Sequence, residues 1–150
     1  MNLEEELRMN PITNPYHRAS LNVIFSGAWL SERINHTLKP FGISEQQYNI
    51  LRILRGQKGN PIHLQDISER MVHKMSNTTR LIEKMRLNGL VERVICEQNR
   101  RKVEITILPK GLDLVESAMK RMKDFEDQFH SRLSETEAQQ LALLLDKMRE

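Results

Sequence analysis

Side chains that could read a DNA groove are concentrated in residues 75–88. Leu81, Ile82 and Met85 recur at helical spacing, which predicts a helix with one apolar face, and Gly89 supplies a C-terminal cap. Amide, hydroxyl and basic side chains hydrogen-bond to base edges and phosphates. The predicted outward positions carry these types: Ser76, Asn77, Thr79, Arg80 and Lys84. The pattern favours a recognition helix for duplex DNA.

A second basic cluster lies at the tip of a predicted hairpin. Residues 90–95 and 103–107 alternate or run as β-branched strands around a polar stretch that carries Arg100, Arg101 and Lys102. Beside a recognition helix, such a wing offers a second contact with the DNA backbone or the minor groove. The hairpin therefore predicts a DNA contact as well.

A short supporting helix is predicted ahead of these two elements. Leu64, Ile67 and Met71 fall on one face of residues 64–71. The order helix, helix, hairpin predicts a winged helix-turn-helix module, and the fold class is mainly α with a small β-hairpin wing (α+β).

Positive charge is concentrated in this module. Residues 44–110 hold 13 Lys and Arg against 7 Asp and Glu (13 − 7 = +6), whereas residues 1–43 balance at 4 each and residues 111–150 hold 6 against 9 (6 − 9 = −3). A basic face that is merely solvated is the alternative reading. The coincidence of charge and motif favours a nucleic-acid surface.

Apolar helices flank the module. Residues 18–38 place Leu21, Ile24 and Phe25 at helical spacing, and a later stripe runs from Leu112 through Val115, Met119 and Met122 to Phe129. A last helix after Ser134, which begins a capping box, places four apolar residues inward: Leu141, Leu144, Leu145 and Met148. We expect these faces to form a homodimer interface rather than close a monomeric bundle. The expected organisation is one domain, 1–150, with the module at 44–110 and helical dimerisation regions at 16–39 and 109–150.

Several classes of protein are disfavoured by the sequence. No apolar run approaches the roughly 20 residues that cross a bilayer, and the acidic start is unlike a signal peptide, so we expect a cytoplasmic protein with no membrane partner. The chain lacks G-x-S-x-G, P-loop, G-x-G-x-x-G and H-E-x-x-H motifs, so we expect neither an enzyme nor a cofactor. The five histidines are scattered, and no metal site is predicted.

The chain resembles the MarR-type transcriptional regulators. The segments that carry the resemblance are ISERM at 67–71, SNTTRLIEKM at 76–85, NGLVER at 88–93, Arg100-Arg101, and Lys110-Gly111. The resemblance implies a homodimeric winged-helix repressor or activator that binds a short inverted repeat and responds to a small aromatic ligand or to oxidation. In the same way it implies that Ser76, Asn77, Thr79 and Arg80 enter the major groove and that Lys84 reaches a phosphate.

The wing departs from the family pattern. Gln98 stands where the family carries its tip arginine, which puts insertion into the minor groove in doubt. Arg100, Arg101 and Lys102 are then expected to touch the DNA backbone.

Three questions stay open at the level of the sequence. Cys96, the single cysteine, is either a redox sensor or a half-buried strand residue. Phe25, Trp29, His36 and Phe41 either line a pocket for an aromatic ligand or belong to the core. The alternative to a DNA-binding regulator is a winged-helix protein-interaction module without a DNA-binding role.

Overall fold

The protein is described by a computed structural model that covers residues 2–150, and of Phe129 only the backbone. The chain divides into two compact units, one up to His36 and one from Thr37 to Glu150. The fold is mostly helical with one small antiparallel sheet, so the predicted fold class is confirmed.

The first unit contains a short helix α1, Leu3–Glu6, and most of the long helix α2, Pro15–Leu38. Helix α2 begins at Pro15 because the Asn14 side chain accepts hydrogen bonds from the backbone N–H groups of Tyr16 and His17, at 2.9 and 3.1 Å. Proline suits the first helical position, where no N–H is needed. Helix α1 begins with a capping box between Asn2 and Glu5.

The second unit contains five further helices. A 3-10 turn, Lys39–Phe41, ends at Gly42, and α3, Glu45–Gly56, follows it. Ser44 and Gln47 form a capping box at the start of α3, since each side chain accepts from the other's backbone N–H. The remaining helices are α4, Leu64–Arg70; α5, Thr78–Leu87; α6, Pro109–His130; and α7, Glu135–Met148.

The sheet has three strands in the order β1, β3, β2: β1, Ile62–His63; β2, Val91–Ile95; and β3, Val103–Ile107. Strands β2 and β3 form the predicted hairpin, with Val91 opposite Ile107 and Ile95 opposite Val103. Strand β1 pairs with the other edge of β3. The sheet therefore ties the hairpin back to the start of α4.

One apolar core holds this module together. Five of its fully buried side chains come from five different elements: Leu51 (α3), Ile67 (α4), Ile82 (α5), Ile105 (β3) and Val115 (α6). Because each element contributes, α5 and the hairpin are held rigidly against the same interior.

The terminal helices are only partly covered by their own chain. On α6, Val115 and Met122 are buried, whereas Leu112 is exposed, and the Phe129 side chain lies outside the described residues. Helix α7 has no buried residue, and Leu144 is 65% exposed. The dimerisation regions at 16–39 and 109–150 stay a prediction. Within residues 2–150, no helix combines the length and the apolar character that a membrane crossing needs.

Candidate nucleic-acid interface

Helix α5 begins at Thr78, three residues later than the sequence predicted. Asn77 is the reason, because its side-chain oxygen accepts a hydrogen bond from the backbone N–H of Arg80, at 3.1 Å, and so acts as the N-cap. Ser76 and Asn77 consequently lie in the turn ahead of the helix, not on its outer face. The Ser76 hydroxyl is buried and has no hydrogen-bond partner among the described residues.

The end of α5 is fixed by two devices. Gly89 has φ +71°, and the N–H groups of Gly89 and Leu90 donate to the carbonyls of Arg86 and Met85, which is the Schellman arrangement. The predicted glycine cap is thus confirmed. In addition, Lys110 Nζ donates to the carbonyl of Asn88 at 2.8 Å. The sequence-based interpretation missed this second contact.

The outer face of α5 carries unpaired positive charge. Thr79, Arg80 and Lys84 are exposed, and neither Arg80 nor Lys84 forms an ion pair within residues 2–150. Glu83 does not offset these charges, because Arg86 pairs with it at 2.8 Å and holds the pKa of its carboxyl below the usual value. The face is therefore free to attract an anion.

The hairpin tip is basic and carries two hydrogen bonds of its own. Cys96 N–H donates to the Lys102 carbonyl at 2.9 Å, and the Asn99 side chain accepts from the Arg101 N–H at 3.1 Å. Arg100, Arg101 and Lys102 are all exposed, and none of them is in an ion pair in the part of the chain described. Gln98, where the family has arginine, is also exposed.

Helix α5 and the hairpin are neighbours in the fold because one turn separates α5 from β2. Helix α5 packs against β2, and only Asn88, Gly89 and Leu90 connect the two elements. Both belong to the second unit and rest on the same core. The recognition helix and the wing thus belong to one packed module.

Two of the four predicted ligand residues line a pocket in the first unit. Phe25 and Trp29 border a cavity of about 260 Å³ together with polar side chains, among them Arg18, Asn22 and Ser26. His36 and Phe41 are not among the residues that line it. Trp29 also lies under the Arg33 guanidinium, 4.6 Å from the ring centroid to Cζ.

Arg18 of this pocket forms a bidentate ion pair. Its Nε and Nη2 donate to the two carboxylate oxygens of Glu4, at 2.6 and 3.0 Å. The pair lowers the pKa of Glu4 from its usual 4.5 to about 2. The pocket thus carries a fixed charged group beside its aromatic wall.

Cys96 lies half-buried at the start of the hairpin loop. Its alternative roles, sensor or structural residue, both stay predictions. Among the described side chains, no group of three His, Cys, Asp or Glu is arranged to hold a metal ion.

The turn between α4 and α5 exposes two apolar side chains that the sequence did not single out. Val72 is 75% exposed and Met75 is 97% exposed. The sequence predicts that Met75 is the first residue of the helix, whereas the structure places it in the turn before the helix. It lies outside the helix because the cap residue Asn77 starts α5 at Thr78.

The fold and the surface define a winged helix-turn-helix protein: a helical core, a recognition helix with unpaired cations and a basic wing. Among solved structures, the chain is similar to the organohalide-sensing regulator RdhR in its 2,4-dichlorophenol-bound form, with a TM-score of 0.82, 18% identity, and 93% and 85% of the two chains covered. It is also similar to S. aureus MepR in a complex with DNA, with a TM-score of 0.76, 22% identity, and 87% and 94% covered.

Sequence comparison finds similarity to one family of transcriptional regulators. The model of the MarR family matches residues 43–103. The transcriptional repressor MprA of Escherichia coli (strain K12) is 27% identical over 119 residues, which is 79% of this chain and 68% of that protein. Over these residues the chain is similar to the MarR family of winged-helix transcriptional regulators. Its relatives are transcription regulators and not enzymes, so the expectation of a non-enzymatic protein is confirmed on that ground.

Proposed function

We propose that this protein is a homodimeric regulator that binds a short palindromic operator in duplex DNA. The observation that carries the proposal is the set of exposed cations without ion pairs on α5 and the wing: Arg80, Lys84, Arg100, Arg101 and Lys102. Some exposed arginines elsewhere do form ion pairs, as in Arg55 with Glu116 and Arg149 with Asp146. Exposed cations without an ion pair among the described residues are available for phosphates.

In this proposal α5 enters the major groove with its N-terminal end leading. Thr79 and Arg80 lie in the first turn and reach base edges, and Asn77 reaches them from the cap position. Lys84, one turn further on, meets a phosphate. Ser76 contacts the DNA through its backbone, or through its hydroxyl once a change in the turn exposes that group. Arg100, Arg101 and Lys102 hold the adjacent backbone.

A second copy of the chain is the proposed partner of α7. A 14-residue helix without a buried side chain has little to stabilise it in water. Leu141, Leu144 and Met148 are exposed on it, and Ile24 on α2 is 69% exposed. A two-fold axis would place two recognition helices about 34 to 36 Å apart, in half-sites centred roughly 10 base pairs from each other.

The central experiment is selection of bound fragments from random duplex DNA. The proposal predicts a palindromic consensus with that half-site spacing. Arg80→Ala should then cost about 1 to 3 kcal/mol of specific binding, because it removes a base or phosphate contact. Arg121→Ala, which removes an exposed charge on α6, is the matched control and should leave affinity for the operator unchanged. Equal affinities of the two variants would exclude Arg80 from the interface.

The wing has a distinct test in the dependence of binding on salt. Neutralising Arg101 to Gln should weaken binding to every sequence alike and reduce the slope of log K against log salt by about one unit. Loss of discrimination at particular base pairs would instead show that the wing reads the groove. Weak dependence on salt in the wild type would favour the alternative, a winged-helix module that binds protein.

The proposed dimer is tested by Leu144→Asp. A carboxylate buried at the interface without a partner should separate the dimer, since burial of an unpaired charge is strongly unfavourable. Gln139→Asp adds the same charge to the polar side of α7 and should leave the dimer intact. Light scattering checks both variants. A wild-type chain that is monomeric in solution and on its operator would contradict the proposal.

A small aromatic ligand is the proposed effector, and the pocket of Phe25 and Trp29 is its proposed site. The RdhR structure, with bound 2,4-dichlorophenol, makes that phenol a suitable probe. Trp29 is the single tryptophan of the chain, so its fluorescence reports binding directly. Phe25→Ala should weaken the response, and His36→Ala, outside the pocket lining, is the control. As a regulator of transcription the protein would act at the DNA, in the cytoplasm.

A further inference from the structure

Met75 is the most exposed large apolar side chain of the described residues, at 97%. It lies in the connection between α4 and α5, two residues before the cap residue Asn77. An exposed apolar side chain contributes no burial energy to the stability of the free protein. Removal of the same apolar surface from water on binding would stabilise a complex. Its position beside the recognition helix makes DNA the surface against which it would be buried.

The connection that carries Met75 is anchored at several points. Met71 is buried in the core, and the Val72 N–H donates to the Asn49 side chain on α3 at 2.9 Å. The Ser76 N–H donates to the His73 carbonyl at 3.1 Å, and Lys74 Nζ donates to the Glu69 carbonyl. The backbone on both sides of Met75 is thereby fixed. Met75 is thus presented by an ordered turn, and little ordering is left to be done on binding.

The chemistry of the major groove limits what an apolar side chain can recognise there. The thymine C5-methyl is the apolar group that a base edge presents in that groove. The thioether of methionine is flexible and adapts to irregular apolar surfaces. The N-terminal end of a recognition helix is the part that approaches the bases, and Met75 immediately precedes that end.

We propose that Met75 is a specificity-determining residue that packs against a thymine methyl group in each half-site of the operator. The inference rests on the proposed function, since it requires α5 to enter the major groove. It adds an apolar contact to the polar ones expected from Asn77, Thr79 and Arg80. The predicted half-site therefore contains a thymine whose methyl group contributes to affinity.

The test uses the palindrome selected by the wild-type protein, with deoxyuridine replacing thymidine one position at a time. This change removes the methyl group and leaves base pairing unaltered. At one thymine per half-site the wild type should lose about fourfold in affinity, the fold-change that corresponds to one buried methyl-sized group, and about sixteenfold when both half-sites are changed. Met75→Ala should bind the native palindrome as weakly as the wild type binds the palindrome with both half-sites changed. It should lose no further affinity when deoxyuridine replaces thymidine at that position.

Two variants serve as controls. Met75→Leu keeps an apolar side chain and should retain most of the sensitivity to deoxyuridine. Leu87→Ala removes an exposed apolar side chain at the far end of α5, about 13 Å from Thr78 along the helix axis, and should behave as the wild type. Met75→Ala should unfold at the wild-type temperature because the side chain is exposed in the free protein.

Three results would overturn the inference. They are a half-site consensus without a thymine on either strand, a wild type insensitive to deoxyuridine at every position, and a Met75→Ala variant as sensitive as the wild type. Each would leave the proposed function standing, since the palindrome itself would still have been selected. Failure to select any palindrome would instead contradict the proposed function, and the inference with it.

Discussion

The ammonium group of Lys110 donates a hydrogen bond to the carbonyl oxygen of Asn88, at 2.8 Å. The first turn of α6 thereby caps the last turn of α5, although 22 residues of chain separate the two. Carbonyls at the end of a helix carry partial negative charge, and a cation beside them is stabilising. The orientation of the recognition helix is thus fixed at its C-terminal end by the helix that follows the wing.

Lys110→Met should lower the free energy of unfolding by about 0.5 to 1 kcal/mol, because the helix end loses a cation and a hydrogen bond. Lys120→Met removes an exposed lysine from the same helix. It should change the free energy of unfolding by less than half of the loss expected for Lys110→Met. Chemical denaturation of both variants measures the difference. Equal losses would show that the contact with Asn88 contributes nothing.

Gly111→Ala should be severely destabilising. A Cβ at this position would lie 2.2 Å from the Leu90 carbonyl oxygen and 3.1 Å from Ile107 Cγ1. That carbonyl also accepts from the Leu108 N–H at 3.0 Å, so it cannot move without breaking a second contact. We expect a loss above roughly 2 kcal/mol, measured as the free energy of unfolding.

The control for that substitution is Gly27→Ala on α2. Apart from the neighbouring backbone of its own helix, no atom of the described residues lies within 4 Å of the added Cβ there. Alanine should stabilise this exposed helix by about 0.5 to 1 kcal/mol, because glycine is the poorer helix former. A destabilised Gly27→Ala variant would show that the distance from the added Cβ to its neighbours does not predict the change in stability.

Asn77 should have two separable roles. Asn77→Ala removes the N-cap and should cost about 1 kcal/mol of stability, whereas Asn77→Ser keeps an oxygen that caps the helix. Loss of operator affinity in the serine variant at unchanged stability would then report a contact of the amide with DNA. Thermal unfolding and binding to the selected palindrome are measured on the same samples. If serine restores both properties, capping accounts for the whole effect.

The Glu4–Arg18 pair should make the stability of the first unit dependent on pH. Arg18 lowers the pKa of Glu4 to about 2, so the stabilisation is fully present above the ordinary carboxyl pKa of 4.5 and is lost as the pH falls through 2. Glu4→Gln should remove this part of the acid dependence. Glu32→Gln, which neutralises an exposed carboxylate on α2, should leave it unchanged. Unfolding followed between pH 5 and about pH 2 separates the variants.

Much of the fold was predictable because its signals are local. The helix starts at Ser44 and Ser134 depend on a side chain three residues away, and the Gly89 cap depends on one left-handed residue. Alternating residues likewise predicted the β2–β3 hairpin. Such patterns are contained within a few residues and do not need the rest of the chain.

The tertiary structure decided what depends on distant residues. Contacts with distant residues, such as Asn49 with Val72, hold the turn ahead of the cap residue Asn77, where Met75 is exposed and the Ser76 hydroxyl is buried. Packing between distant segments also requires Gly111 beside Leu90. The spacing of residues along the chain determines which face of a helix is apolar. Which neighbour covers that face is a property of packing, and it cannot be read from spacing.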